Sequence, residues 1–243
     1  MARINNKQFL AALLEPVDEK EPRVELLRSG DVRKASNAWD KAFKTDPLFE
    51  YMRAGVKESA IRNWFKRYNF VLTLLAWIRT RTVITVDSGS SVVVFETPSR
   101  SPKSWKQRLM EWVVGILYRG FNKLANAEQR RRQTESRTKL DSVIREKIGA
   151  EGQSMVYLDL AYTSPQAQGR GHASALVRRV TRVADAMGEN SWLASSNLGN
   201  EGFYNKHGYK KVGEAILGND NPAWDKDPVV VQVMVREPQT RPY

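Results

Sequence analysis

Between Ser154 and Met187 the chain reads SMVYLDLAY, then TSPQAQGRGHAS, then ALVRRVTRVADAM. An apolar, aromatic strand pattern gives way to two glycines and a small residue, Gly169, Gly171 and Ala173, and then to Leu176, Val180, Val183 and Met187 at helical spacing. Gly188 stops that helix. The order strand, glycine turn, helix is demanding. A helix N-terminus presents backbone N–H groups without intrahelical acceptors and a partial positive charge, so a phosphate settles there when no side chain blocks its approach. Residues Gln168 to Ser174 meet that description, with Arg170 supplying a mobile cation and Ser174 a hydroxyl. A glycine-rich turn that only serves close packing remains the alternative. A Walker loop is excluded because no Gly-Lys-Ser/Thr follows, and a dinucleotide fingerprint lacks its acidic partner, since Asp185 lies within the helix itself.

Composition narrows the chemistry. The 243 residues include no cysteine and two histidines, His172 and His207, which excludes thiolate catalysis, a disulfide framework and a histidine-rich metal site; no metal is expected. A formal charge of +12 favours a polyanionic or phosphate-rich partner. The densest basic run, Gln129 to Lys139, is broken by polar residues and reads as a solvated helix face or connector, with nucleic acid the lesser alternative. Phe9 to Leu14 is shorter than a signal-peptide core, and no run reaches the ~20 apolar residues of a membrane span. The expectation is a soluble cytoplasmic protein without membrane contact. Phe70–Ile78 and Trp112–Tyr118, the most apolar segments, are expected to be buried.

Along the chain, Arg23–Leu27 reads as a first strand, followed by a helix capped by Ser29 or Asp31 with Val32, Ala35, Trp39, Ala42 and Phe43 on one face. Thr45–Pro47 ends it, and a second helical region covers about Leu48 to Tyr68. A β-hairpin pairs Arg81–Val86 with Ser91–Thr97 around Asp87–Ser90. A helical insertion over about 99–150 precedes the strand at Ser154–Tyr162. Beyond the glycine turn come a strand at Ser191–Ser196, a short helix near Asn200–Gly208, and strands at Tyr209–Leu217 and Val229–Glu237, joined by an acidic loop read as solvated. Alternating strands and helices predict a mixed α/β sheet.

Gln168, Gly171 and Ala173 fit the Gln/Arg-x-x-Gly-x-Gly/Ala signature, and Asn197, Asn200, Phe203, Tyr204, Gly208 and Tyr209 fit a second motif about thirty residues on. In these two motifs the chain resembles the GNAT superfamily of N-acetyltransferases, sharply over 154–237 and more vaguely before Thr97; a weaker likeness is to puromycin-type acetyltransferases. The resemblance implies one GNAT-like domain over 1–243, of the α/β (α+β) class, with a mostly antiparallel mixed sheet flanked by helices and the insertion before the fourth strand. It implies acetyl-CoA as co-substrate and direct attack by a primary amine, on a small molecule or a peptide. The pyrophosphate would rest on Gln168, Gly169, Arg170, Gly171, His172, Ala173 and Ser174, with His172 replacing the usual aliphatic residue. Backbone of Leu160 and Tyr162 would pair with the pantetheine, and Asn197 and Asn200 would bind its amides or cap the helix of Tyr204. Tyr204 would be the acid that protonates the leaving thiolate. Asp159 is the first candidate base, with Glu96, Glu201 or water as rivals, and Arg178, Arg179 or Arg182 are candidates for the 3′-phosphate. A non-catalytic module binding CoA or nucleic acid is the alternative function.

Overall fold

The computed structural model describes residues 9, 13–16, 18–56, 59–98, 105, 108–109, 112, 115–116, 119–120 and 125–239. Among the described residues seven strands form one sheet in the order β1-β2-β3-β4-β5-β7-β6: β1 Glu25–Leu26, β2 Thr82–Val86, β3 Ser91–Glu96, β4 Val156–Thr163, β5 Ser191–Ser195, β6 Lys210–Leu217 and β7 Val229–Arg236. Only the β4–β5 pair is parallel. The parallel pair requires a crossover, and α5, His172–Met187, supplies it.

Each strand alternates its side chains between two helical layers. Ile84, Val93, Phe95, Val156, Leu158, Leu193 and Met234 face α5, which meets them with Ala175, Leu176, Val180 and Val183. On the opposite face Val83, Val92, Val94 and Tyr162 meet α1, Val32–Ala42, and α3, Ala60–Thr80. Trp39 of α1 stacks on Phe70 at 4.4 Å and on Trp77 at 5.5 Å between ring centroids, both from α3. The same face, further along, is covered by α4, Ala127–Lys147, whose Leu140 and Val143 pack on Ala215, Val231 and Val233. A capping box starts α4, with Asn126 accepting from the Gln129 amide and Gln129 returning the bond.

Several expectations are corrected. β1 is only two residues long. The second helical region splits into α2, Pro47–Arg53, and α3, which runs on to Thr80 and takes in the apolar run Phe70–Ile78. Asp46, read as part of a terminator, is the N-cap of α2 and accepts from the Phe49 amide at 3.1 Å. The basic run of α4 is a solvated face along one side, with Arg130, Arg131 and Arg137 exposed, but its other side is buried at Gln129, Arg132 and Ser136. Arg132 donates to the carbonyls of Tyr51 and Ala223 at 2.7 and 2.8 Å, and pairs with Glu128 at 2.7 Å. The acidic loop before β7 is solvated at Asp220, Asp225 and Asp227, as expected, and is anchored by Asn221, buried against Tyr51 Oη and Glu128. Positions 105 to 120, where described, are helical as expected, yet Trp112 and Ile116 are exposed rather than buried.

Candidate active site

β4 and β5 pair only at Val156, Tyr157 and Leu158, after which the two parallel strands part. A bulge on the other edge of β4 follows at once. Val94 and Phe95 on β3 face Leu160 and Leu158, so Asp159 is an extra residue in β4. The bulge reverses the side-chain alternation. Leu158 packs toward α5, whereas Leu160 and Tyr162 turn toward α1 and α3. Tyr162 is fixed there by donating its phenol to the Ala35 carbonyl at 2.9 Å. The backbone of Leu160 and Tyr162 thus borders the gap while both side chains point out of the way.

The chain leaves β4 through a 3-10 turn, Pro165–Ala167, and enters α5 through Gly171, a left-handed N-cap at φ 78° that offers no side chain to the first-turn amides. Gly169 is also left-handed, at φ 75°. Open space surrounds both: a Cβ on Gly169 would meet nothing within 4 Å, and one on Gly171 only Pro22 Cγ at 4.0 Å. The first turn of α5 therefore has unobstructed backbone at its N-terminus, and these residues fit a bound pyrophosphate. Gln168 donates to the Thr163 carbonyl at 3.4 Å, and Arg170 is exposed. Ala173 and Ser174 occupy the same first turn. His172 ties the hairpin to the start of α5, its Nδ1 lying 3.1 Å from Ser91 Oγ. Burial lowers its pKa, Arg170 adds to the effect and Asp87 opposes it.

Past β5, Asn197 caps a 3-10 turn, Leu198–Asn200, by accepting from the Gly199 amide at 2.9 Å. Asn200, whose backbone amide donates to the Asn197 carbonyl at 3.0 Å, is the N-cap of α6, Glu201–Lys206, without a side-chain cap bond. Tyr204 of α6 packs with Ala175 and Leu176 of α5 and with Tyr209, whose ring centroid is 6.1 Å away. It retains 8% exposure, and burial pushes its phenol well above the usual tyrosine range.

The carboxylates are arranged differently from the expectation. Asp159 is bound to Arg81, and the same guanidinium pairs with Glu96 at 2.8 Å and lies 5.0 Å over the Trp77 ring. Two of the three candidate bases therefore share one cation. Glu201 accepts from Gln232 at 2.8 Å. The arginines considered for a 3′-phosphate are held by the N-terminal segment: Glu21 binds Arg178 and the fully buried Arg179, both at 2.7 Å, and Arg182 donates to the Glu15 carbonyl. Sequence reasoning missed Glu21 and also Ser196, which donates to Asp46 at 2.7 Å and fastens α2 to the end of β5. Neither carries a local signal, because both partners lie more than 140 residues away. No group of three or more His, Asp or Glu stands together for a metal among the described residues.

Residues 142–209 match the family model described as Acetyltransferase (GNAT) family, a span beginning within α4 and ending just before β6. No curated protein sequence matches the chain. Solved structures share its fold. A Corynebacterium glutamicum structure described as histone acetyltransferase HPA2 and related acetyltransferase superposes with a TM-score of 0.57 at 19% identity, over 91% of this chain and 98% of that one. Arylalkylamine N-acetyltransferase 2 of Aedes aegypti gives 0.53 at 12% identity, over 89% and 99%, and Drosophila melanogaster polyamine N-acetyltransferase 0.51 at 14%, over 88% and 98%. The sheet order and the strand gap are those of these neighbours: the chain has the GNAT fold, and within it residues 142–209 match the GNAT family model.

Proposed function

We propose that the protein is an acetyl-CoA-dependent N-acetyltransferase that acts on a primary amine by direct attack. The observation that carries this reading is the open cradle of Gly169 and Gly171 at the α5 N-terminus, beside strands that part after Leu158. Acetyl-CoA, when bound, supplies the activated thioester carbonyl. The α5 amides and Arg170 hold the pyrophosphate, while the freed backbone edge of Leu160 and Tyr162 aligns the pantetheine. Tyr204 keeps its proton throughout the physiological range and delivers it to the departing sulfur. Asp159 and Glu96 serve Arg81, so the amine loses its proton to water or to Glu201. The polyamine and arylalkylamine activities named for two fold neighbours favour a small cationic amine as acceptor.

Thermal melting with and without CoA, followed by thiol release from acetyl-CoA across an amine panel, tests the proposal. CoA is expected to raise the melting temperature by mass action. Gly171→Val places a β-branched side chain at a left-handed N-cap, so the free protein melts lower, but the decisive reading is the CoA-dependent increment. That increment is expected to vanish. A variant that keeps it would move the pyrophosphate elsewhere, and CoA binding without thiol release for any amine would favour a non-catalytic CoA-binding module.

A further inference from the structure

Helix α3 carries two apolar faces. Phe70, Leu74, Trp77 and Ile78 turn inward to α1 and the sheet. Ile61, Trp64, Phe65 and Tyr68 form a second stripe at positions i, i+3, i+4 and i+7, and at 100° per residue it lies roughly 150° around the helix from the first. This stripe faces water, with the four side chains 69%, 54%, 42% and 52% exposed. Trp64 draws it into one ridge, 4.3 Å from the Tyr68 ring and 5.1 Å from Phe65. The inserted helical segment repeats the pattern, with Trp105, Leu109, Trp112 and Ile116 all exposed. Of the twelve large apolar side chains exposed among the described residues, eight lie on these two segments. So strong a concentration marks an interaction surface rather than scattered exposure.

The charges around it indicate what covers it. Helix α3 has four basic and no acidic residues, and the described residues of the inserted segment add Arg108 and Arg119 and no acid. Lys66 is tied to Asp40 and Arg62 donates to Gln129, but Arg67, Arg108 and Arg119 are exposed. No helix among the described residues is long and apolar enough to cross a membrane. Exposed Trp, Phe, Tyr and Leu flanked by an excess of Lys and Arg are the composition of a helix that lies in a bilayer interface, with rings at headgroup depth and cations on acidic lipids. We propose that the α3 stripe, with the exposed Trp105, Leu109, Trp112 and Ile116 of the inserted segment, forms a docking surface for an anionic membrane, placing the protein on the lipid surface without insertion. This reverses the sequence expectation of no membrane contact. The inference does not depend on the acetyl-transfer reading, because none of these residues belongs to the cradle.

The test sediments the full chain with vesicles of phosphatidylcholine alone and of phosphatidylcholine mixed with phosphatidylserine, at low and high salt. Binding to the acidic vesicles is expected to exceed binding to the neutral ones about ten-fold or more and to fall with salt, since each basic group near the surface contributes roughly five-fold. The double variant Trp64→Ser with Phe65→Ser, and separately Trp112→Ser, are each expected to weaken binding about ten-fold with the melting temperature unchanged. Arg67→Glu is expected to lower binding to acidic vesicles only. No pelleting with either vesicle, or equal pelleting with both, overturns the proposal. It is also overturned if the chain self-associates in sedimentation velocity through this ridge, so that Trp64→Ser abolishes a dimer while vesicle binding is absent.

Discussion

At Tyr204 burial fixes the protonation state before any substrate arrives. The ring packs against Ala175, Leu176 and Tyr209, and a desolvated phenolate is so costly that the proton stays on oxygen. Tyr204→Phe preserves the packing and deletes only the transferable proton. Turnover is expected to fall ~10²- to 10⁴-fold with CoA affinity almost unchanged, as read by steady-state kinetics beside calorimetric titration. Because the phenol titrates far above neutrality, the proposed transfer rate of the parent protein is expected to rise with pH as the amine deprotonates and then to stay level. A descending limb below about pH 10 would point to a different acid. Asp159 illustrates the opposite situation. Its carboxylate is bound to Arg81 at the bulge in β4.

Among the elements, α4 is the addition that the sheet had to accommodate. It approaches β6 so closely that a Cβ on Gly213 would lie 2.7 Å from Val143 Cγ1, which explains a glycine within a strand at that position. Its polar anchor is Arg132, 1% exposed, with guanidinium bonds that reach α2, the loop before β7 and Glu128. Arg132 also lies 4.8 Å over the Tyr51 ring, and Tyr51 donates to Glu135 one turn further along α4. Removing one partner of such a buried set leaves carbonyls and a carboxylate unsatisfied. Arg132→Ala is expected to cost roughly 3–5 kcal/mol in urea unfolding, with loss of the docked loop around Asn221. An exposed neighbour on the same helix, Arg137, pairs with Asp141 at 3.6 Å; Arg137→Ala is expected to change stability by less than about 1 kcal/mol.

For the whole molecule, acid sensitivity has a local source at the α5–α6 contact. Burial, reinforced by Arg178 and Arg236, pushes His207 down to about 4. Its folded pKa lies below its unfolded value of ~6.5, so the folded state binds fewer protons. That contribution is complete above about pH 6.5 and is lost as pH falls toward 4. With the ring partly exposed and screened, the loss is about 1–2 kcal/mol, and melts at pH 7 and pH 4.5 are expected to differ less in His207→Gln than in the parent. The sequence by itself determined the elements whose cause is local. Glycine at two left-handed positions, helical spacing after Ala175, the apolar run of β4 and the hairpin around Asp87 are all short-range patterns, and with them came the resemblance to the GNAT family and the glycine turn. Only the tertiary structure decided which charges and apolar groups were free. Arg178 and Arg179 meet Glu21, Asp159 meets Arg81, and Arg132 is buried by segments some eighty and ninety residues away in sequence, whereas Trp64 and Trp112 are left facing water. The physical reason is that pairing and burial depend on distance in space, which residue type and spacing do not encode.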